Sequence, residues 1–416
     1  MEFRGTPMPY APPGDDKVTV FSGAAVEGRE GTGTSIVVRG QRIEAIVPDQ
    51  DAPADGGNVD LAGRFVIPGL IDTHQHLATP PDRAVAEAVL ARQVAGGVTL
   101  VRDMADDLRQ ISDLARATLV GEIPGPDISY AALMAGPDFF DDPRTWQVSQ
   151  GACPGQVPWM QAITPDTDLP LAVAQARGTG AIAIKIYANL PAATVAAITA
   201  EAHRQGMQVW AHATVFPAAP LEVVAAGVDV LSHAALLPHQ GEDLSRASYK
   251  NRPPIDFARF AGEDDPVMAG LFEQMRASGT ILDATASLWT RRDTDHDERA
   301  RNMSQLSVHL TRQAHRAGVE ISAGSDYETA AEQTWPALID EMLFLNRDCA
   351  IPAADVIRAA TETAARSAGV LGDMGTLAPG KLASFVAVDG DPRTDLTLLR
   401  SPHCTVKRGH PHFAKA

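Results

Sequence analysis

The 416-residue sequence is poor in cysteine, in aromatic residues and in positive charge. Its three cysteines, Cys153, Cys349 and Cys404, lie far apart without a CxxC pair, which excludes a disulfide framework and a thiolate zinc site. Lys and Arg number 35 against 52 Asp and Glu, a net charge of −17, so the chain lacks the basic field that nucleic-acid partners require. Aromatic residues make up only 5%, which favours short helices and strands packed by small aliphatic side chains.

Long hydrophobic runs are also missing. No stretch of about 18 apolar residues exists for a membrane span. The amino-terminal segment MEFRGTPMPYAPPGDDK lacks the apolar run of a signal peptide. Unless a leader has been removed, we therefore expect a soluble, cytoplasmic protein that acts on a small molecule and has neither a membrane nor a nucleic acid as partner.

Both ends of the chain carry short β patterns. Residues 1–17 are rich in Pro and Gly and are predicted to be loosely held, and VTVFSG, TSIVVRG and QRIEAIV then alternate apolar with polar residues between glycines. KLASFVAV and CTVKRG repeat this pattern near the carboxyl end. We predict that residues 1–66 and 376–416 together form one small β-sandwich domain.

The middle of the chain, residues 67–375, has a different pattern. Apolar runs alternate with Ala-rich stretches of helical period, which indicates β/α units around a parallel sheet. Eight units match the size of a TIM-like (β/α)8 barrel, roughly 250 residues. The runs are FVIPGLIDTHQHL (65–77), GVTLVRDM (97–104), PDISYAALM (126–134), AIAIKIYA (181–188), MQVWAHAT (207–214), VDVLSHA (228–234), TILDATAS (280–287) and VEISAGSD (319–326).

Two connections between these runs are long. They span residues 135–170 and 235–270, and both are longer than ordinary βα loops. Long ordered loops on the carboxyl side of a barrel usually shape or cover a substrate pocket. A surface decoration is the alternative.

Polar residues interrupt the apolar runs near their carboxyl ends, where burial without a partner is costly. His74 and His76 are two apart on the first strand, so both side chains face the same side and can chelate one divalent metal. The carboxyl ends of barrel strands converge, which brings the others to the same mouth. The predicted metal ligands are His74, His76, Lys185, His212, His233 and Asp326.

Lys185 is the least expected of these residues because it lies among Ile and Ala in AIAIKIYA. Burial disfavours the protonated form of this lysine and lowers its pKa, which favours a neutral, nucleophilic amine. A neutral amine can take up carbon dioxide to form a carbamate, whose two oxygens can bridge two metals. The alternative is a lysine that snorkels to solvent or pairs with an acid.

These motifs together resemble the amidohydrolase superfamily. The resemblance covers nearly the whole chain and rests on VIPGLIDTHQH, GVTLVRD, the Lys185 strand, WAHA, VLSHA, AGSD and GTLAPGKLASFVAVDGDP. The combination HxH, Lys, His, His, Asp is similar to the binuclear-metal branch, which includes prolidase-like dipeptidases and the imidazolonepropionase-like hydrolases.

The resemblance implies a site with two divalent metal ions, expected to be zinc, and a hydroxide that bridges them. His74, His76, the Lys185 carbamate and Asp326 would hold the first metal, and the carbamate, His212 and His233 the second. Asp326 and Lys185 would be catalytic, with Asp326 taking the proton of the attacking water and delivering it to the leaving amine. Metal-dependent hydrolysis of an amide, such as a dipeptide or N-acyl amino acid, is the predicted activity.

Three differences between this sequence and the related families restrict the predicted activity. His212 is followed by Ala213, Thr214 and Val215, without the Glu that related deaminases place there. True imidazolonepropionases use one metal and need no bridging lysine, so Lys185 counts against that activity. The prolidase-like dipeptidases carry a glycine-rich turn after the lysine strand, where this chain has YANLPAA, which weakens inference about the substrate.

Substrate recognition is open at this stage. Candidates are Tyr187 after Lys185, Tyr249 in the second long loop, and Arg291, which could bind a carboxylate, although RRDTDHDERAR also reads as a solvated helix start. The same metal pair could hydrolyse a lactone, carbamate or phosphotriester. An inactive metal-binding scaffold is a further alternative. By analogy with related barrels, we expect a homo-oligomer.

Overall fold

The computed structural model describes residues 17–413 except 30, 32, 80, 261, 263, 292–296, 330 and 331, and the side chain of Arg291. The predicted loose segment 1–16 therefore lies outside the described residues. Both chain ends contribute to one sheet with the strand order β18-β17-β16-β5-β1-β2-β3, in which β4 also pairs with β1. These strands are β1 (Val18–Val26), β2 (Thr34–Arg39), β3 (Arg42–Pro48), β4 (Gly57–Asp60), β5 (Phe65–Pro68), β16 (Phe385–Val388), β17 (Cys404–Lys407) and β18 (His410–Phe413).

Strand β1 joins the two halves of this terminal sheet. Its first residues pair with β4 and its last residues, Ala25 and Val26, pair with β5. The pairing of β1 with β2 is irregular between Phe21 and Ala24, where the strand bends. Phe21 and Phe385, one from each chain end, meet edge to face at 5.0 Å in a separate buried core. The two chain ends thus fold as one unit.

The second sheet is a nearly closed barrel of eight parallel strands, as the sequence predicts. The barrel strands are β6 (Leu70–Gln75), β7 (Val98–Asp103), β8 (Asp127–Ala135), β11 (Ala183–Ile186), β12 (Gln208–His212), β13 (Val230–Ser232), β14 (Ile281–Asp283) and β15 (Ile321–Ser322). Backbone hydrogen bonds join the last strand region to the first: Thr73 N donates to Ala323 O at 3.1 Å and Asp326 N to His74 O at 2.9 Å. The (β/α)8 fold class is confirmed.

The first apolar run, residues 65–77, does not form one strand. The structure divides it between β5 in the terminal sheet and β6 in the barrel, so the terminal sheet extends to Pro68, past the predicted boundary at residue 66. Gly69 separates the two strands, and a Cβ there would lie 2.2 Å from Oγ1 of Thr99. Only glycine permits this close approach, which turns the chain from one sheet into the other.

Helices cover the outside of the barrel. Aspartates begin several of them, and their carboxylates accept backbone N–H bonds of the first turn, as at Asp82, Asp168 and Asp297. No helix among the described residues has both the length and the apolar character needed to cross a membrane. The helices are α1 (Arg83–Ala95), α2 (Leu108–Leu119), α3 (Pro143–Val148), α4 (Leu169–Gly178), α5 (Ala192–Arg204), α6 (Pro220–Ala225), α7 (Pro266–Ser278), α8 (Glu298–Arg316), α9 (Ala337–Arg347), α10 (Ala353–Ala359) and α11 (Glu362–Ser367).

The two long connections contain little regular structure. The first holds α3 and the short strands β9 (Gln156–Val157) and β10 (Met160–Ala162), of which β10 pairs with β8. The second holds 3-10 turns at Ala234–His239 and Phe257–Phe260. The two segments contact each other, because Phe139 of the first packs against Tyr249 of the second with ring centroids 5.0 Å apart.

Candidate metal centre

Six side chains lie where barrel strands end, at the same mouth of the barrel. Three of them lie within or at the end of strands, His74 in β6, Lys185 in β11 and His212 as the last residue of β12. His76 and His233 directly follow the strands β6 and β13. The complete set is His74, His76, Lys185, His212, His233 and Asp326. Because the strands are parallel and adjacent, their carboxyl ends form one ring of side chains.

Asp326 lies between the histidines. Its Oδ1 is 3.6 Å from Nε2 of His74 and 3.5 Å from Nε2 of His76, and its Oδ2 is 3.7 Å from Nδ1 of His233. Ligand atoms of His74, His233 and Asp326 lie within 4.8 Å of one another. Such spacing suits donors that share a metal ion. Asp326 thus faces both the HxH pair and His233, which the resemblance assigns to different metals.

His74 is oriented by a buried carboxylate. Its Nδ1 lies 2.7 Å from Oδ2 of Asp283 on β14, so Nε2 is the nitrogen that faces Asp326. Asp283 also accepts hydrogen bonds from Thr73 at 2.9 Å and from Ser232 at 2.9 Å. A ring nitrogen held in this way fixes the tautomer and increases the basicity of the other nitrogen.

His76 has its own carboxylate. Nδ1 of His76 lies 2.9 Å from Oδ1 of Asp106. The Thr79 hydroxyl donates to the same oxygen, and the Ala78 amide donates to Oδ2 of Asp106. Burial lowers the pKa of His76, but the charge and hydrogen bond of Asp106 outweigh it and raise that pKa to about 9. A metal at Nε2 would therefore compete with a proton for this ring.

His212 and His233 are held by threonines. Nδ1 of His212 lies 2.8 Å from Oγ1 of Thr214, and Nδ1 of His233 lies 2.9 Å from Oγ1 of Thr285. The two rings are 4.6 Å apart. His233 has φ of +78° and Asp326 has φ of +58°, a left-handed backbone that non-glycine residues seldom adopt and that is concentrated at functional sites.

Lys185 is enclosed by the barrel. It is 1% exposed, and within the described part of the chain its Nζ has one hydrogen-bond partner, Oγ of Ser232 at 3.4 Å. Burial lowers its pKa to about 8, although the charges of Asp283 and Asp326 oppose the shift. Among the described residues the lysine neither reaches solvent nor forms an ion pair within 4 Å, and its lowered pKa makes the neutral amine more accessible than that of an exposed lysine.

The donor set fits divalent metal ions. Burial lowers the pKa values of His74, His212 and His233 well below the ordinary value, so all three rings are neutral and keep a lone pair for a metal. Burial raises the pKa of Asp326 to about 6, which makes proton exchange at this carboxylate possible near neutral pH. Neutral imidazoles with a carboxylate are the ligands that zinc accepts.

Sequence reasoning missed the acids behind the ligands. Asp283 interrupts the apolar run TILDATAS, which is the same signal that identified Lys185, and Asp106 follows the second strand. Asp72 is also buried, and it accepts hydrogen bonds from Ser325 and Gln75 beneath the site. Applying the interrupted-strand criterion to every acid would have found Asp283.

Arg102 is a structural residue of the barrel interior. It is fully buried, donates to the carbonyls of Thr73 and Ser367, and pairs with Asp283 at 3.4 Å. Its guanidinium also lies over the Trp210 ring at 4.4 Å. The guanidinium therefore forms an ion pair inside the barrel.

The predicted substrate contacts differ in their placement. Tyr187 stacks on His212 with ring centroids 4.7 Å apart, and Tyr249 contacts Tyr187 at 5.6 Å. Both tyrosines therefore border the candidate metal centre. The side chain of Arg291 lies outside the described part of the structure.

A (β/α)8 barrel with histidines, a buried lysine and an aspartate at its mouth, joined to a sheet of both termini, defines the class of metal-dependent barrel hydrolases. The sequence matches the amidohydrolase family over residues 65–411. The chain belongs to the amidohydrolase family, as its motifs predict.

Individual relatives match over short segments. An imidazolonepropionase from Klebsiella pneumoniae (strain 342) is 56% identical over 50 residues, which is 12% of each chain. The Micrococcus luteus imidazolonepropionase is 35% identical over 106 residues, covering 24% of this chain and 26% of the relative. The chain thus spans about a quarter or less of the length of these two relatives.

Solved structures match over nearly the whole chain. A candidate prolidase from Bifidobacterium longum has a TM-score of 0.70 at 25% identity and is covered over 95% of both chains. A Xaa-Pro dipeptidase crystallised with bound methionine in its active site has a TM-score of 0.70 at 21% identity, over 95% of this chain and 100% of the other. The fold of this chain is therefore that of known amidohydrolase structures.

Proposed function

We propose that the protein is a metal-dependent hydrolase of carbon–nitrogen bonds, acting on a peptide-like amide or an N-acyl amino acid. The main support for the proposal is a nearly solvent-free lysine that lies beside three histidines at the barrel mouth and has no carboxylate within 4 Å among the described residues. Family membership and the names of the relatives, imidazolonepropionase and Xaa-Pro dipeptidase, support hydrolysis of such bonds.

Two divalent metal ions, with zinc as the expected metal, would be held by the six residues of the centre. Lys185 would contribute as its carbamate, which converts a buried positive charge into an anionic ligand. His74, His76 and Asp326 face one another and would share one ion, and His212 and His233 would share the other. Bound there, the metals would supply a bridging hydroxide and polarise the carbonyl of the substrate.

Asp326 is the proposed proton carrier. Its carboxylate faces both histidine pairs, and burial raises its pKa to about 6, so it can take a proton from the attacking water and return it to the leaving nitrogen. Asp283 and Asp106 would fix the orientation of the His74 and His76 rings through their hydrogen bonds to Nδ1. Tyr187, stacked on His212, would close one side of the pocket against water.

The test is a hydrolysis screen of zinc- and bicarbonate-loaded protein. Dipeptides, N-acyl amino acids, lactones, carbamates and phosphotriesters would be offered, with Lys185→Ala as the blank. We expect turnover of amides only; turnover confined to esters or phosphotriesters would move the protein to a different hydrolase class. Absence of turnover in every class, with metal bound, would indicate a metal-binding scaffold.

Asp326→Asn tests the proton transfer. The amide can still lie near a metal but cannot accept a proton, so we expect loss of turnover in protein that retains part of its metal. Metal content measured by elemental analysis, together with intact mass for the carbamate, separates the two effects. Normal activity of this variant would remove Asp326 from the proposed mechanism.

Cytoplasmic location and assembly into a homo-oligomer are part of the same proposal. Cell fractionation would test the location. Light scattering on the purified chain would test the assembly, and a monomeric mass at working concentration would contradict it.

A further inference from the structure

Three aromatic rings pack against one another beside the candidate metal centre. Tyr187 stacks on His212 at 4.7 Å with an interplanar angle of 27°, and Phe139 and Tyr249 pack on Tyr187 at 4.7 and 5.6 Å. We call Phe139, Tyr187 and Tyr249 the aromatic wall. The wall therefore places apolar ring faces directly beside the candidate centre.

Two arginines contact Tyr249, and in the described part of the chain only one of them forms an ion pair with a carboxylate. Arg144 pairs with Asp142 through two nitrogens and also contacts the Tyr249 hydroxyl. Arg252 lies over the face of the Tyr249 ring, 4.5 Å from its centroid, and its Nε donates to the Tyr249 carbonyl at 3.2 Å. Within the described residues, no carboxylate pairs with Arg252.

Arg252 is therefore held in place with its terminal nitrogens uncommitted. Ring stacking and the Nε hydrogen bond fix the plane of the guanidinium, and the side chain is only half-buried. Arg252 is connected to His212 through the stacked rings of Tyr249 and Tyr187, which places it on the side of the candidate centre that these rings border. A planar guanidinium fixed in this way is suited to bidentate binding of a carboxylate.

We propose that Arg252, seated on Tyr249, binds a carboxylate of the substrate, and that the protein acts on amides that bear a free carboxylate. The inference rests on the proposed hydrolase function but concerns a different part of the pocket. Three successive contacts, Arg252 to Tyr249, Tyr249 to Tyr187 and Tyr187 to His212, measure 4.5, 5.6 and 4.7 Å. These contacts form one continuous row of packed side chains between Arg252 and His212.

The test uses a probe that cannot be hydrolysed. A ketomethylene dipeptide analogue, in which CH2 replaces the scissile nitrogen, would be prepared as the free acid and as the terminal carboxamide. Calorimetric titration of the full-length, zinc-loaded chain should show the acid binding about 10- to 100-fold more tightly than the carboxamide. Arg252→Gln should remove this difference while leaving the affinity for the carboxamide unchanged.

Two further variants sharpen the test. Arg252→Lys keeps the charge but loses the planar fork and should restore only part of the preference for the acid. Arg246→Gln removes an exposed arginine of the same loop and should keep the full preference. Equal affinity for acid and carboxamide, or a preference for the acid that survives Arg252→Gln, would overturn the inference. Because the probe is not cleaved, the inference can fail while hydrolysis is observed, or hold while it is not.

Discussion

Two lysines among the described residues are buried, one in each part of the molecule. Lys407, in the terminal sheet, donates to the Thr118 carbonyl at 2.8 Å and pairs with Asp127 at 3.1 Å. Lys185, in the barrel, has a single contact with a neutral hydroxyl, at 3.4 Å. Their burial is similar, at 6% and 1% exposure, so the partners and not the degree of burial distinguish them.

The difference teaches how a buried charge should be interpreted. A buried ammonium needs both a counter-charge and hydrogen-bond acceptors. Lys407 has them, because Asp127 and the Thr118 carbonyl link the terminal sheet to β8 and α2 of the barrel. Lys185 has, among the residues that the structure describes, only the Ser232 hydroxyl at 3.4 Å, and the charges of Asp283 and Asp326 do not offset the cost of its burial, because its pKa is lowered to about 8. The first lysine is a structural residue, and the second is a candidate for chemistry.

Removing the Lys185 amine should have the largest effect. Lys185→Ala deletes the proposed carbamate, and we expect amide hydrolysis to fall by on the order of a thousandfold or more, with loss of bound zinc. Short carboxylates such as propionate should restore part of the activity, because they can occupy the carbamate position. Lys407→Met is the matched control and should stay active. Full metal content and activity in Lys185→Ala would contradict the binuclear assignment.

For the free energy of unfolding we expect the opposite order: substitution of Lys407 should cost more than substitution of Lys185. Lys407→Met leaves Asp127 with Arg408 as its ion-pair partner, and removing one member of a buried pair costs about 3 kcal/mol. Lys185→Met breaks no close ion pair and should be neutral or stabilising. Urea unfolding of both variants in the presence of a chelator would measure the difference. If Lys185→Met destabilised the chain as much as Lys407→Met, the contrast between the two lysines would not hold.

The barrel and most of its centre could be predicted because their signals are local. A polar residue that ends an apolar run identifies a side chain at the barrel mouth, and the parallel topology alone brings Lys185, His212 and Asp326 together. The eight runs could be counted for the same reason. The family resemblance added the metals and the carbamate, which no property of a single strand can provide.

What could not be predicted depends on contacts between distant parts of the chain. The run 65–77 is continuous in sequence, yet the close approach of Gly69 to Thr99 divides it between two sheets. Arg102 adjoins Asp103 in sequence but pairs with Asp283, which is on another strand. Arg252 lies in a long loop, and its proposed role in binding a carboxylate depends on its contact with the Tyr249 ring. The periodicity of apolar residues predicts which face of a strand or helix a residue occupies. It does not predict which residue from a distant part of the chain that face contacts.

Asp283 should control the affinity of the centre for metal. It orients His74 and accepts from Ser232, the hydroxyl that contacts Lys185, so it acts on both kinds of ligand. Asp283→Asn should weaken zinc binding about 10- to 100-fold, the usual effect of removing a partner of a ligating histidine. Competition with a chromophoric chelator would measure it. Asp355→Asn, which loses the acid paired with His315 far from the centre, is the control; equal effects would contradict a positioning role.

Ser232 should produce the smallest effect, and that effect should depend on bicarbonate. Ser232→Ala removes the hydrogen bond to Lys185 and leaves the lysine buried, so carbamate formation should weaken by about two- to tenfold. Excess bicarbonate should compensate, because mass action refills the modified state, and the variant would then approach wild-type activity. Ser278→Ala, in α7, should show no such dependence. If excess bicarbonate does not restore the activity of Ser232→Ala, the carbamate is not what the hydroxyl supports. The loss would then come from the hydrogen bond that Ser232 donates to Asp283 at 2.9 Å.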